Sequence, residues 1–265
     1  TKNKNFPPAT RQAVMSAAEA IAPEQSVDEV RESLSVTEKG KTANTIGNCR
    51  TVFCHDPLLR DAIQLNLLTD RVDIVRDLGW RRNTSALTDT DVKYLLLYFE
   101  QNYDLTSEKK ITAALSIVAN ENCYHPIQDV LNSLVWDGTP RIRSCLHHFL
   151  GADESDYVEE MLKHFLLGAI HRVFRPGSKY EEMLCLVGGQ GAGKSTFFRL
   201  LAIRDEWFSD DLKKLDDDRV FQKLQGHWII EMSEMLATSS AKSIEEIRSF
   251  ISRQKETYRT PYESQ

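Results

Sequence analysis

Gly188, Gly189, Gln190, Gly191, Ala192, Gly193, Lys194 and Ser195 follow one another without interruption, and together they have the chemistry to hold a chain of phosphates. Glycine reaches backbone angles closed to other residues and leaves amide groups bare, so several N–H groups can converge on one anion. A lysine directly after such a run reaches the β- and γ-phosphates, and the hydroxyl that follows can ligate Mg²⁺. Thr196 and the residues after it read as a helix whose N-terminus faces the same anion. The expected ligands are ATP and Mg²⁺. The bland alternative is a glycine-rich turn that binds nothing.

A second acidic group must help to hold the metal. His227-Trp228-Ile229-Ile230-Glu231 is an apolar run ending in a carboxylate and opened by Gln225-Gly226, which suits Glu231 as the Mg²⁺-positioning acid. Aspartate is commoner at that place. Glu234, beyond the expected strand end, is placed to polarise an attacking water. Both have a plainer reading as surface carboxylates, as do Asp210 and Asp211. Nowhere does an Asn-Lys-x-Asp guanine reader occur, so an ATPase is expected rather than a GTPase.

A third group lies near the end of the chain. Arg253, Lys255, Tyr258, Arg259 and Tyr262 interleave cations with rings, a composition that suits single-stranded nucleic acid. A subunit contact, or long stems covering apolar surface, would use the same residues; composition leaves these open.

These groups need elements to position them. Met183-Leu184-Cys185-Leu186-Val187 is predicted as the strand entering the glycine loop, and Trp207–Leu212 as a further strand ending in a polar turn. Val158, Met161, Leu162, Phe165, Leu166, Ala169, Ile170 and Val173 form one apolar helical stripe, stopped by Pro176-Gly177. Ser243 and Glu246 form a capping box before a last helix. Upstream the pattern is mainly helical. Thr88 and Asp91 make a capping box ahead of Val92, Leu95, Leu96 and Phe99, a helix follows Ser107, and another starts at Pro126. Asp70–Leu87 is less regular and reads as short strands, Trp136-Asp137-Gly138 as a turn, and Arg11–Ala20 as a peripheral helix.

The expected architecture is α/β: a P-loop NTPase core of the ASCE type behind a mainly helical N-terminal domain. The division is residues 1–25 as a tail, 26–145 as the helical domain and 146–265 as the ATPase domain, with the boundary falling near 140–155. A chain of 265 residues with a formal charge of −6 argues against a surface coated with cations for duplex DNA, while leaving room for a local basic strip. No apolar run nears the roughly 20 residues of a membrane span, and no signal core follows Thr1. The five cysteines form no CxxC pair and read as reduced residues of a cytoplasmic protein. A zinc site around Cys49, Cys54 and His55 lacks a second close pair.

Tyr180–Lys194, Trp207-Phe208-Ser209-Asp210, Leu224–Glu231, Phe250-Ile251-Ser252-Arg253 and Tyr258–Tyr262 together resemble the virulence-associated protein E family. His125-Pro126-Ile127 and Trp136–Arg141 are similar to its approach to the ATPase core, and the resemblance runs over roughly residues 35–265. It implies a bacterial phage or mobile-element protein related to superfamily III helicases and primase–helicases. It implies that Gly188–Ser195 binds ATP and Mg²⁺, that Glu231 is the metal-positioning acid, and that Arg253, Lys255 and Arg259 face DNA. It also implies a homo-oligomeric ring, since a neighbour completes such active sites. The polar sensor and arginine finger expected after Tyr262 are not met before Gln265, so slow turnover is expected of this chain; an arginine finger is commonly worth on the order of 10³-fold. The missing initiator Met suggests a processed chain or a fragment. Two rivals remain. A P-loop kinase would need an acceptor pocket and an arginine-bearing lid, and neither is identifiable. A nucleotide-gated interaction module would bind a host partner without moving along DNA.

Overall fold

The computed structural model describes residues 25–212, 220–232 and 249–250. Two compact units divide the chain. The first runs to Tyr124 and the second from His125, with Leu67–Asp70 belonging to the second. Both helix and sheet are present, with short strands throughout.

The first unit holds α1 (Val27–Ser33), α2 (Ile46–His55), β1 (Ile63–Asn66), β2 (Arg71–Ile74), α3 (Asp89–Tyr103), α4 (Glu108–Glu121) and β3 (Cys123–Tyr124). The predicted capping box opens α3: Asp91 N–H donates to Thr88 Oγ1, and Thr88 N–H donates to the Asp91 carboxylate. Leu95 and Phe99 then turn inward at helical spacing, against Ile111, Leu115 and Val118 of α4 and Phe53 of α2. Asp91 does more than cap. Its carboxylate also accepts from Trp80 Nε1 at 2.8 Å and from Arg82 Nε at 2.9 Å. Burial alone would push its carboxyl up, but the hydrogen bonds from Trp80, Thr88 and Arg82 outweigh this and hold it down at about 2.

The sheet of this unit has the order β2-β1-β3, antiparallel then parallel. The irregular stretch 70–87 contains β2 and a bridge between Asp73 and Ala86. Strands of four and two residues, as β1 and β3 are, are too short to show a periodicity in sequence. Cys49 is fully buried, and burial pushes its thiol up to about 11. Among the described residues no three His, Cys, Asp or Glu side chains cluster to hold a metal.

The second unit holds α5 (Pro126–Ser133), α6 (Ile142–Leu150), α7 (Asp156–Phe174), α8 (Lys194–Leu201), β4 (Phe208–Ser209), α9 (Val220–Leu224) and β5 (Ile229–Ile230). Ser155 caps α7 by accepting from Val158 N–H, and the helix ends just ahead of Pro176. Its apolar stripe serves two clusters. Leu162 packs with Leu146 and Phe197, and Val173 with Trp207 and Ile229. Thus α7 is the post against which both α8 and β5 are fixed. The predicted turn at Gly138, with φ +83°, is closed by Arg141, which donates to Asp137 at 2.6 and 2.9 Å. The predicted helix at 11–20 lies outside the described residues, as does the capping box at Ser243 and Glu246. Among the described residues no helix is long and apolar enough to cross a membrane.

Candidate functional site

The glycine loop meets α8 at Gly193, whose φ of +83° is left-handed; Gly191 has φ +79°. A side chain at either place would strain the backbone. Gly193 is also the N-cap of α8, and no side chain caps that helix. Its first-turn amides therefore keep their capacity for an external anion. Lys194 is half-buried and folds back over the loop, donating to the carbonyls of Gly188 at 2.8 Å and Gly189 at 2.7 Å. The helix is held from behind by Phe197, which is buried, and by Phe198, whose ring meets Phe165 of α7 edge-on at 5.8 Å. Gln190, Ala192, Ser195 and Thr196 are exposed.

Glu231 arrives from another element. Strands β4 and β5 run parallel, pairing Phe208 with Ile229 and Ser209 with Ile230. The ladder continues one residue further, where Glu231 N–H donates to Ser209 carbonyl oxygen at 2.8 Å. Trp228 Nε1 donates to the Ala169 carbonyl at 3.2 Å and ties β5 to α7. With both scaffolds anchored on α7, Ser195 Oγ donates to Glu231 Oε1 at 2.7 Å. The other carboxylate oxygen, Oε2, is buried without a hydrogen-bond partner among the described residues. A carboxylate oxygen in that condition is costly unless something electropositive approaches it.

Around this centre the remaining predicted residues divide. Asp210 and Asp211 are exposed, as solvated loop carboxylates would be, and Asp211 lies 3.7 Å from Lys223. Glu234, Arg253, Lys255 and Arg259 lie outside the described residues. The run Met183–Val187 differs from its prediction. Leu184 and Leu186 are half-buried and pack in the α6–α7–α8 cluster, while Met183, Cys185 and Val187 are exposed. That alternation is strand-like, yet no ladder partner flanks the run among the described residues. Sidedness belongs to the sequence; a ladder needs a neighbour.

One pair at the site is not apparent from sequence. Tyr180 lies over α7 with its hydroxyl donating to the His164 carbonyl at 2.9 Å. It fits there because residue 168 is glycine: a Cβ at that position would stand 2.4 Å from the Tyr180 ring. The available signal is a glycine in the interior of a long apolar helix, which costs about 1 kcal/mol against alanine and so needs a packing reason. Tyr180 thereby pins the segment that leads into the glycine loop.

A family model described as the virulence-associated protein E-like domain matches residues 131–265. The chain belongs to that family. The match spans less than the resemblance read from sequence, which began near residue 35; it starts within α5 and takes in the glycine loop, β4 and Glu231. Comparison with curated proteins finds no match. For a virulence-associated protein E-like chain, the described geometry brings together one lysine, one hydroxyl and one carboxylate at the mouth of an uncapped helix. These are the donor types that a phosphate chain and a hard divalent cation require.

Proposed function

We propose that this chain binds a nucleoside triphosphate, with ATP as the physiological ligand, on Gly188–Ser195, and that its second unit is a P-loop NTPase core of the superfamily III helicase kind. The observation that carries this reading is the 2.7 Å contact between Ser195 and Glu231, made between the first turn of α8 and the end of β5. In a mere glycine-rich turn, nothing would require a carboxylate from a distant strand to meet that hydroxyl.

The residues present fit Mg²⁺, because Ser195 Oγ and the two Glu231 oxygens are hard donors and Glu231 Oε2 is buried without a partner among the described residues. Bound there, the ion would neutralise phosphate charge and orient the terminal phosphoryl group. Lys194 would exchange its carbonyl partners for phosphate oxygens, adding charge to the hydrogen bonds it already forms. The amides of Gly191–Ser195 and the helix terminus would hold the remaining phosphate oxygens. Glu234 is assigned to orient the attacking water, and Arg253, Lys255 and Arg259 to contact DNA. Family membership supports the setting: a helicase-like, ring-forming ATPase acting on DNA for a phage or mobile element.

The test is ATP hydrolysis by this chain with and without single-stranded DNA. DNA-stimulated turnover is expected. Nucleotide binding with no stimulation would favour a nucleotide-gated interaction module, and transfer of the γ-phosphate to an acceptor other than water a kinase.

A further inference from the structure

A cavity of about 600 Å³ lies against Gly188, Gly189 and Lys194. The end of α6 and the first turns of α7 make one wall, through Leu150, Tyr157, Val158 and Met161; residues 182–187 make another. The volume falls within the roughly 300–1,000 Å³ of small-ligand sites. Ala192 lines it as well, so one side of the loop forms part of its wall, and a ligand held by its phosphates at the loop has room there for what the phosphates carry.

The lining decides what is recognised there. Its walls are mainly apolar, and three of its polar side chains are hydrogen-bonded within the chain. Lys194 bonds loop carbonyls, Tyr180 donates to His164 carbonyl oxygen, and the Cys185 thiol points to the Met183 carbonyl at 3.7 Å. Glu182 stays largely in solvent, 3.8 Å from His164 Nδ1. Tyr157 is different: 72% of it is exposed, leaving ring surface available for stacking.

We propose that this cavity receives the base of the nucleotide, held by apolar contact and by stacking on Tyr157, without a side chain that reads the base edge by hydrogen bonding. The proposal rests on the nucleotide-binding reading above. A site that hydrogen-bonds its ligand rejects the wrong one by 10⁴-fold or more, whereas apolar contact discriminates only about 10- to 200-fold. Two purines of the same ring size are therefore poorly distinguished here, and ATP and GTP affinities fall within about 200-fold of each other.

Calorimetric titration of the wild-type chain and two variants with Mg-ATP, Mg-GTP and inorganic tripolyphosphate tests this. Val158→Trp fills the cavity, and Tyr157→Ala removes the stacking face at an exposed position. Each variant is expected to weaken ATP binding about tenfold or more while leaving tripolyphosphate unchanged. If Val158→Trp fails to fold, Tyr157→Ala decides. Unchanged ATP affinity in the folded variants overturns the proposal, and so does rejection of GTP by more than about a thousandfold, which requires a polar reader. Tripolyphosphate binding as tightly as ATP to the wild type removes the base site but spares the phosphate loop. Binding of neither ligand removes the nucleotide reading itself.

Discussion

Ser195 on the first turn of α8 and Glu231 at the end of β5 meet through a 2.7 Å hydrogen bond, with the second Glu231 oxygen buried and unpartnered among the described residues. The two residues report on one centre from two scaffolds, so substituting each has a distinct consequence. Glu231→Gln keeps the size and the hydrogen bond to Ser195 but removes the charge that attracts a divalent cation. The expected outcome is nucleotide binding preserved within a few-fold and Mg²⁺-dependent hydrolysis reduced by about 10²-fold or more. Steady-state phosphate release beside equilibrium binding measures both; equal hydrolysis in the variant would remove Glu231 from the centre.

Lys194 answers a different question. Its amino group bonds to the Gly188 and Gly189 carbonyls, so it shapes the loop as well as supplying charge. Lys194→Ala is expected to abolish ATP binding at millimolar concentrations, because both contributions vanish together. Wild-type affinity in this variant would sink the phosphate-loop assignment.

The contact of Gly168 with Tyr180 predicts an unusual sign. Glycine to alanine within a helix ordinarily stabilises by about 1 kcal/mol. Here the new methyl group would meet the Tyr180 ring at 2.4 Å, so Gly168→Ala is expected to destabilise by about 1–3 kcal/mol through overpacking. Gly168→Ala combined with Tyr180→Ala should recover part of that loss. Urea melts of the single and double variants measure it, and a stabilised single variant would refute the contact.

Arg253 and Arg259 carry the prediction for DNA. Reversing both charges to Glu is expected to weaken single-stranded DNA binding at least tenfold and to reduce its salt dependence, with ATP affinity unchanged. Fluorescence anisotropy over a salt series reads both quantities. Unaltered DNA affinity would assign the basic stretch to subunit contacts.

What was legible in the sequence followed from how local the physics is. The local geometry at Gly188–Ser195 is legible because it lies in consecutive residues, where glycines with positive φ lead straight into the first turn of α8. Glu231 is legible because an apolar run ending in a carboxylate marks a buried strand surfacing at an edge. The helix α3 announces itself through Thr88 and Asp91, which satisfy one another within a single turn. By contrast, the run 183–187 shows its two faces but not its pairing, since a ladder is a property of two segments. Tyr180 over Gly168 depends on a close approach between a helix and the segment beyond it. The bonds from Trp80 and Arg82 to Asp91 likewise turn an ordinary cap into a buried charge cluster, and nothing in the capping pattern signals them.

That cluster yields a pH dependence with a definite sign. Asp91 titrates at about 2 in the folded chain against an ordinary 3.8, so the folded state binds its proton less readily than the unfolded state does. Its stabilising contribution is therefore complete above about pH 4 and is lost as the pH falls through 2. The shift corresponds to on the order of 2 kcal/mol at neutral pH. Arg82 is only 13% exposed at its side chain, so Asp91→Asn leaves a mostly buried guanidinium without its counter-charge and is expected to cost about 3 kcal/mol at pH 7. The gap in unfolding free energy between wild type and variant should shrink steadily between pH 4 and pH 2, because the wild-type carboxylate becomes neutral there. Denaturant melts at pH 7, 4 and 2.5 measure that gap. A difference that stays constant across the three would mean that Asp91 stabilises α3 through its cap geometry alone and not through its charge.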